Sequence, residues 1–146
     1  MAQMFDIKKV TEAIKRKQAT IDRNSKKMKT APKYIYVGWD KSSGTYPEQG
    51  GKPVEEVALI HEFGTEHHTA KGMVSNTVFF CEDEWIKRAT KLIKKGFKWG
   101  RAPDYYDIAE KLGRQIKSDL RDYTYSIGLV DTERLANSVI VKYRRR

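Results

Sequence analysis

The sequence predicts an α+β fold, in which a small antiparallel or mixed β-sheet is covered by several α-helices, two of them long and in the C-terminal half. Two observations lead to this prediction. Strand-type segments are few and lie far apart, at 34–39 and 138–143. Elsewhere, apolar residues recur at the three- and four-residue spacing of amphipathic helices. With 146 residues, of which 39% are hydrophobic, the chain can form one hydrophobic core, so 1–146 is predicted to be a single domain.

The first predicted element is an amphipathic helix over 5–27. Its apolar residues are interspersed with lysines and arginines at helical spacing, and Pro32 lies shortly after its end. The segment YIYVGW at 34–39 follows, and its β-branched and aromatic residues predict a strand. The apolar positions of the helix are Phe5, Ile7, Val10, Ile14 and Ile21.

Two long loops flank the second predicted helix. The segment 40–53 is rich in glycine, serine and proline, which is typical of a long hairpin or a mobile loop. The segment 54–63 carries apolar residues at helical spacing, and Gly64 is placed to end the helix. A second loop is predicted over 65–76. The apolar positions of this helix are Val54, Val57, Ala58, Ile60 and Phe63.

The second half of the chain contains the two long helices. The first spans 79–97 and carries an apolar face. Asp104 then has the position of an N-cap for the second helix, with Asp107 in its first turn. The apolar face of the first helix consists of Trp85, Ile86, Ala89, Leu92, Ile93 and Phe97. The buried stripe of the second consists of Tyr105, Ile108, Leu112, Ile116, Leu120 and Tyr123.

A short helical turn and a closing strand complete the prediction. Asp131 can cap the turn, while Val130 and Leu135 are placed to pack against each other across its start. The residues 138–143 then alternate in the manner of a strand, which is expected to close the sheet.

The charged residues form blocks of opposite sign. The net charge is +10, which suggests a polyanionic partner. The segment 8–33 holds ten basic residues and two acids, and the segment 84–101 holds seven basic residues and one acid. The segment 48–66 instead holds five acids and one lysine. Such blocks suit subunits that contact one another, although many surface charges serve only solvation. The candidate contacts to DNA phosphates lie on the polar side of the helical segment 85–101, at Lys87, Arg88, Lys91, Lys94, Lys95 and Lys98.

A histidine cluster is the densest polar group, but its spacing does not fit a metal site. Glu62 follows His61, as in a helical zinc protease motif, yet Thr65 occupies the position that requires the second histidine. His67 and His68 lie in the predicted loop. We therefore predict no metal site. The glycine patterns of phosphate-binding, dinucleotide-binding and nucleophile-elbow turns are also missing from the sequence, so no enzymatic activity and no cofactor is expected.

The single cysteine and the distribution of apolar residues bear on the compartment. Cys81 follows two phenylalanines and is expected to be a small buried hydrophobe, with no cysteine partner in the chain. No apolar run reaches membrane-spanning length, and the first ten residues lack the core of a signal peptide. These features predict synthesis in the cytoplasm and no membrane partner.

Two segments together resemble the neck and tail-completion proteins of tailed bacteriophages. The first is IHEFGT at 60–65, because in that family a helix runs into a Glu-Phe-Gly-Thr turn. The second is LVDTERLANSV at 129–139, which is similar to the family's LVDTGxLxxSI segment. The family's glycine after Asp-Thr is Glu133 here, and AKGMVSNTVFF stands where the family has an Arg-Pro-Phe segment. The order of the two segments is also similar to that in one group of these proteins, which places the second motif near the C-terminus after a pair of long helices.

The resemblance implies structural roles for both segments. It implies a corner at the first segment, with Phe63 buried, Gly64 relieving the backbone and Thr65 bonding locally. It implies that the second segment directs the chain into the last strand. The residues concerned are Glu62, Phe63, Gly64 and Thr65 in the first segment and Asp131, Thr132 and Leu135 in the second.

The resemblance also implies a function. The chain would be a structural virion protein, assembled in the host cytoplasm, that forms a homo-oligomeric ring around the DNA channel at the head–tail junction. It would contact head-closure or connector proteins, tail proteins and, without sequence preference, the packaged DNA. A tail terminator ring protein and a free, non-specific nucleic-acid-binding protein are the alternatives. In a ring, the acidic segment 48–66 is expected to lie nearer a neighbour's basic helix than its own.

Overall fold

The computed structural model describes residues 6–97, 101–128 and 132–145, except for the side chain of Thr132. Within these ranges, five helices and four strands confirm the predicted α+β class. The helices are α1 (Ile7–Thr30), α2 (Val54–Phe63), α3 (Met73–Gly96), α4 (Tyr105–Ser126) and α5 (Thr132–Asn137). The strands are β1 (Tyr34–Gly38), β2 (Thr45–Tyr46), β3 (Lys52–Pro53) and β4 (Ile140–Arg144).

The strands form two small antiparallel sheets instead of one. β1 pairs with β4 along its whole length, from Tyr34 opposite Arg144 to Gly38 opposite Ile140. β2 and β3 form a separate ladder of two residue pairs. The closing strand predicted from the sequence is therefore present. It pairs with the first strand, although most of the chain separates the two in sequence.

The segment 40–53 is a folded hairpin, which is one of the two structures that its composition predicts. A capping box begins it: the Asp40 carboxylate accepts from the backbone N–H of Ser42 at 2.8 Å, and the Ser43 hydroxyl accepts from the N–H of Asp40 at 3.1 Å. β2 and β3 then pair, and the Tyr46 side chain at the end of β2 is completely buried. The burial of this one large side chain anchors a segment that is otherwise polar.

α2 has the predicted bounds, whereas α3 begins at Met73 instead of 79, so the loop predicted over 65–76 is shorter. A tertiary hydrogen bond explains the difference. The carboxylate of Glu62, near the end of α2, accepts from the backbone N–H groups of Val74 and Ser75 at 2.7 and 3.0 Å. The first turn of a helix leaves such donors unpaired, and Glu62 satisfies two of them. α3 can therefore begin after Gly72, which has no side chain to cap it.

The core lies between the hairpin, α2 and α5. The N-terminal end of α3 and the C-terminal half of α4 also contribute to it. The Trp39 indole N–H donates to the carbonyl of Leu135 at 2.8 Å, which ties the end of β1 to α5. Gly113 lets β4 pack closely on α4, because a Cβ there would lie 2.7 Å from the Tyr143 hydroxyl. The buried cluster comprises Trp39, Tyr46, Val54, Val57, Ala58, Met73, Leu120, Leu135 and Val139.

The apolar faces predicted for the two long helices are only partly covered. On α4, Leu120 is buried and the other predicted positions are half-buried. On α3, Ile86 and Phe97 are 56% and 57% exposed, so the predicted face is not continuously buried. The reason is that α4 packs on the side of α3 that carries Trp85, whose indole N–H donates to Asp119 at 2.7 Å. Ile86 lies about 100° further around the helix.

α1 is the least covered helix. Every residue in it is exposed or half-buried. Asp6 caps its start by accepting from the N–H of Lys8 at 3.0 Å, and the Asn24 side chain accepts from the backbone N–H of Ala102 at 3.0 Å, which ties α1 to the segment before α4. Phe5, the first of its predicted apolar positions, lies outside the described residues. Among the described helices, none is both long and apolar enough to cross a membrane.

Candidate assembly surfaces

The Glu-Phe-Gly-Thr segment is a tight corner held by backbone hydrogen bonds. Gly64 has a φ of 75°, and its N–H donates to the Ile60 carbonyl at 2.7 Å. A Cβ at Gly64 would lie 2.7 Å from both the carbonyl oxygen of His68 and the nitrogen of Ala70, so the corner requires glycine. Thr65 and His68 exchange two backbone hydrogen bonds, of 2.8 and 3.3 Å. The backbone relief and local bonding expected at this corner are therefore both present.

Phe63 is exposed, and the prediction that it is buried is wrong. Its side chain is 74% exposed. α2 buries the side that carries Val54, Val57 and Ala58. At about 100° per residue, Phe63 lies on the opposite side of the helix from Val54, as does Leu59 to a large extent. The helical spacing that groups Phe63 with the core residues therefore does not hold over the full length of α2.

Phe63 instead lines an open apolar cleft between β1, α2 and the first turn of α3. The cleft has a volume of about 330 Å³. Glu55 and Glu62 also line it, so the apolar surface is accompanied by carboxylates. The other lining residues include Tyr36, Val37, Trp39, Ala58, Leu59 and Val74. Sequence reasoning missed this cleft; the signal for it is that α2 carries large apolar residues on both of its sides.

The second motif lies partly outside the described residues. Asp131 lies outside them, as does Val130, which the sequence predicts to pack against Leu135. Thr132 begins α5, and the motif's leucine, Leu135, is only 1% exposed and belongs to the core. Its carbonyl accepts the hydrogen bond from Trp39, so α5 is held against the end of β1 immediately before the chain enters β4. This is the position from which the segment can direct the last strand.

The basic residues predicted on α3 lie along one side of that helix. Most of them line a groove of about 640 Å³ between α3 and α4. Lys94 is exposed on the same helix, and Lys98 lies outside the described residues. The basic residues in the groove are Lys87, Arg88, Lys91 and Lys95.

The electrostatic field of this groove is mixed. Glu84 accepts a hydrogen bond from Lys87 at 3.0 Å, and this bond raises the pKa of the lysine. Arg88 donates to the side-chain oxygen of Gln115 across the groove at 3.2 Å. Asp119 lines the groove as well. The groove is therefore basic, but two carboxylates moderate its positive charge.

α1 presents a narrow apolar stripe on a basic helix. The residues Ile7, Ile14, Ile21 and Met28 repeat every seven positions, and Val10 lies in line with them. At about 100° per residue, all five fall within about 60° of the helix surface, and all five are exposed. The rest of α1 holds nine lysines and arginines but only two acids. A stripe this narrow is typical of a helix that packs along a single partner element.

His67 and His68 are exposed in the loop after α2, and Cys81 lies in α3. Across the three described ranges, no group of three or more His, Cys, Asp or Glu side chains could hold a metal ion. His67 is exposed, with its Nε2 3.0 Å from a carboxylate oxygen of Glu66. Cys81 is half-buried and not fully buried as predicted; it lines the α3–α4 groove, where desolvation raises the pKa of its thiol.

Comparisons of the chain with protein-family models, curated proteins and solved structures found no match. Function is therefore inferred from the two sequence motifs and from three surfaces: the apolar cleft, the α3–α4 groove and the α1 stripe.

Proposed function

We propose that this chain is a structural subunit of a tailed-bacteriophage virion. In this proposal it is a neck or tail-completion protein, assembled in the host cytoplasm, that forms a ring around the DNA channel at the head–tail junction. The observation that carries the proposal is the joint presence of IHEFGT and LVDTERLANSV on either side of two long helices. The proposed role is structural and includes no reaction, metal or cofactor.

The uncovered surfaces support a role in assembly. Soluble monomers rarely expose contiguous apolar patches unless these bind a partner. Among the described residues, the α1 stripe and the apolar cleft are surfaces of this kind. Both surfaces would be covered in a ring whose members also contact head-closure or connector proteins and tail proteins.

The α3–α4 groove supports a weak contact with DNA. Lys87 and Arg88 already bond within the chain, so we assign the phosphate contacts to Lys91, Lys94 and Lys95. DNA must slide through a neck ring during packaging and ejection, and high-affinity binding would oppose this movement. A basic surface that is moderated by nearby carboxylates meets this requirement.

Salt-titrated binding to several unrelated DNA duplexes tests the DNA contact. We expect micromolar or weaker affinity at physiological salt, with no preference among the duplexes, as for non-specific binding. Replacing Lys91, Lys94 and Lys95 together by glutamine should lower the slope of log affinity against log salt by up to about 3, since each phosphate contact contributes about 0.9. The matched control replaces Lys41, Lys52 and Lys71, which lie outside α3, and should leave the slope nearly unchanged.

A free nucleic-acid-binding protein is the second candidate, favoured by the net charge of +10. Such a protein must bind duplex DNA tightly as a monomer or dimer, which the neck proposal does not require. Binding tighter than micromolar at physiological salt, without preference among the duplexes, would favour this candidate. Preference for one duplex by about a thousandfold, in the range of specific DNA-binding proteins, would instead indicate a sequence-specific regulator and would also refute the neck proposal. An unchanged salt slope in the α3 variant would show that this side of α3 does not face DNA.

A further inference from the structure

The exposed stripe of α1 requires a partner that the described part of its own chain does not supply. α1 has 24 residues and is therefore about 36 Å long. Most of the stability of a helix in a protein comes from packing of its apolar face. In this chain, however, the stripe from Ile7 to Met28 is exposed throughout, and the bond from Ala102 to Asn24 lies near the C-terminal end of the helix.

Electrostatic repulsion disfavours pairing of α1 with a second α1. The helix carries nine basic residues and two acids, so two such helices side by side would bring two charges of +7 together. Lys17 and Asn24 also fall on the side of the stripe where a coiled coil needs apolar residues. The partner surface should therefore be apolar and acidic.

The apolar cleft of a second copy has this chemistry. Leu59, Phe63 and Val74 present large, exposed apolar side chains at the cleft. Glu55 and Glu62 line it, and both belong to the acidic segment 48–66, which holds five acids and one lysine. Two clefts facing each other would repel in the same way as two α1 helices. Charge repulsion thus disfavours contact between two α1 stripes or between two clefts, whereas a stripe and a cleft carry opposite charges and are complementary.

We propose that α1 of one copy docks its apolar stripe into the cleft between β1, α2 and α3 of the next copy. This proposal rests on the proposed function in so far as that function requires a ring of identical subunits. Contact between two different surfaces of identical chains is head-to-tail, and such contacts form a closed ring when the rotation between neighbours closes. Phe63, which the core leaves exposed, is then buried by the neighbour's α1.

Two single substitutions test the proposal on the full-length protein. Ile14→Asp places a charge in the middle of the stripe, at a residue that is 62% exposed, and Phe63→Asp does the same in the cleft. Each should weaken self-association at least tenfold, as expected for loss of a buried anchor at an interface. Ile86→Asp is the matched control, because Ile86 is comparably exposed but lies in neither surface. Sedimentation and native mass spectrometry report the assembly state, and circular dichroism checks that each variant is folded.

Mixing the two variants distinguishes head-to-tail docking from symmetric pairing. The Phe63→Asp chain keeps an intact α1 and the Ile14→Asp chain keeps an intact cleft, so an equimolar mixture should form dimers that grow no further. Symmetric α1 pairing is indicated instead if Ile14→Asp alone is disruptive, and this result overturns the proposal. If neither variant alters an assembled protein, the proposed interface is wrong while the ring remains. A wild-type protein that stays monomeric contradicts the ring itself.

Discussion

The Glu62 carboxylate offers a direct test of how the corner and α3 depend on each other. It accepts from the N–H groups of Val74 and Ser75 and also from the Ser75 hydroxyl, across twelve and thirteen residues of chain. In Glu62→Ala, these two backbone donors lose their acceptor at the positive end of the helix. Loss of an N-cap typically costs about 0.5–2 kcal/mol, and a carboxylate near a helix N-terminus contributes about 0.3–1 kcal/mol. We therefore expect a loss of about 1–2 kcal/mol in the free energy of unfolding.

For a chain of this size, that loss corresponds to a decrease in Tm of about 2–8 °C. Thermal unfolding followed by circular dichroism measures it, and amide hydrogen exchange at Val74 and Ser75 should accelerate more than exchange in the middle of α3. Glu66→Ala is the control, because the Glu66 side chain is 84% exposed and pairs only locally with His67. The reasoning is refuted if Glu62→Ala and Glu66→Ala melt at the same temperature and exchange at Val74 is unchanged.

Two further predictions concern the corner and the β1–β4 sheet. Gly64→Ala should destabilise the fold by about 1–3 kcal/mol more than Gly50→Ala in chemical denaturation, because both have positive φ but only Gly64 has backbone atoms 2.7 Å from the new methyl; equal losses would contradict the clash. The hydrogen bond from Lys142 lowers the pKa of Asp40 from 3.8 to about 2, so its contribution to stability is present above pH 3.8 and is lost as pH falls towards 2. When unfolding is measured at a series of pH values, the Lys142→Met variant should lose less free energy of unfolding between pH 3.8 and 2 than the wild-type protein does. An identical pH dependence in the two proteins would show that the bond from Lys142 does not stabilise the ionised Asp40.

The elements specified by neighbouring residues were predictable. Asp104 is the N-cap of α4, as predicted, and its carboxylate accepts from the N–H groups of Tyr106 and Asp107 at 3.0 and 3.2 Å. α2 has the bounds set by its apolar spacing and by Gly64. The same holds for the strand character of β1, whose alternating β-branched and aromatic residues are contiguous. In each case the determining interactions lie within about five residues of chain, which is the range that a sequence pattern reports.

The candidate surfaces were only partly predictable. The basic side of α3 follows from helical spacing alone, and the structure places four of its six residues in one groove. The apolar cleft does not follow in this way, since it combines Tyr36 of β1, Phe63 of α2 and Val74 of α3. Residues that are far apart in sequence share a surface only after the helices pack, so no local pattern indicates them.

The amino-acid sequence alone therefore determines the α+β class, the type and order of most elements, and the alternating basic and acidic blocks, because periodicity, caps and composition are local properties. The tertiary structure alone decides where α3 begins, whether there are one or two sheets, and which side of α2 is buried. Glu62 lengthens α3 through contacts twelve and thirteen residues away. Phe63 is exposed because α2 turns its opposite side, which carries Val54, towards the core. These outcomes depend on which surfaces meet, and that is settled by the packing of the whole chain.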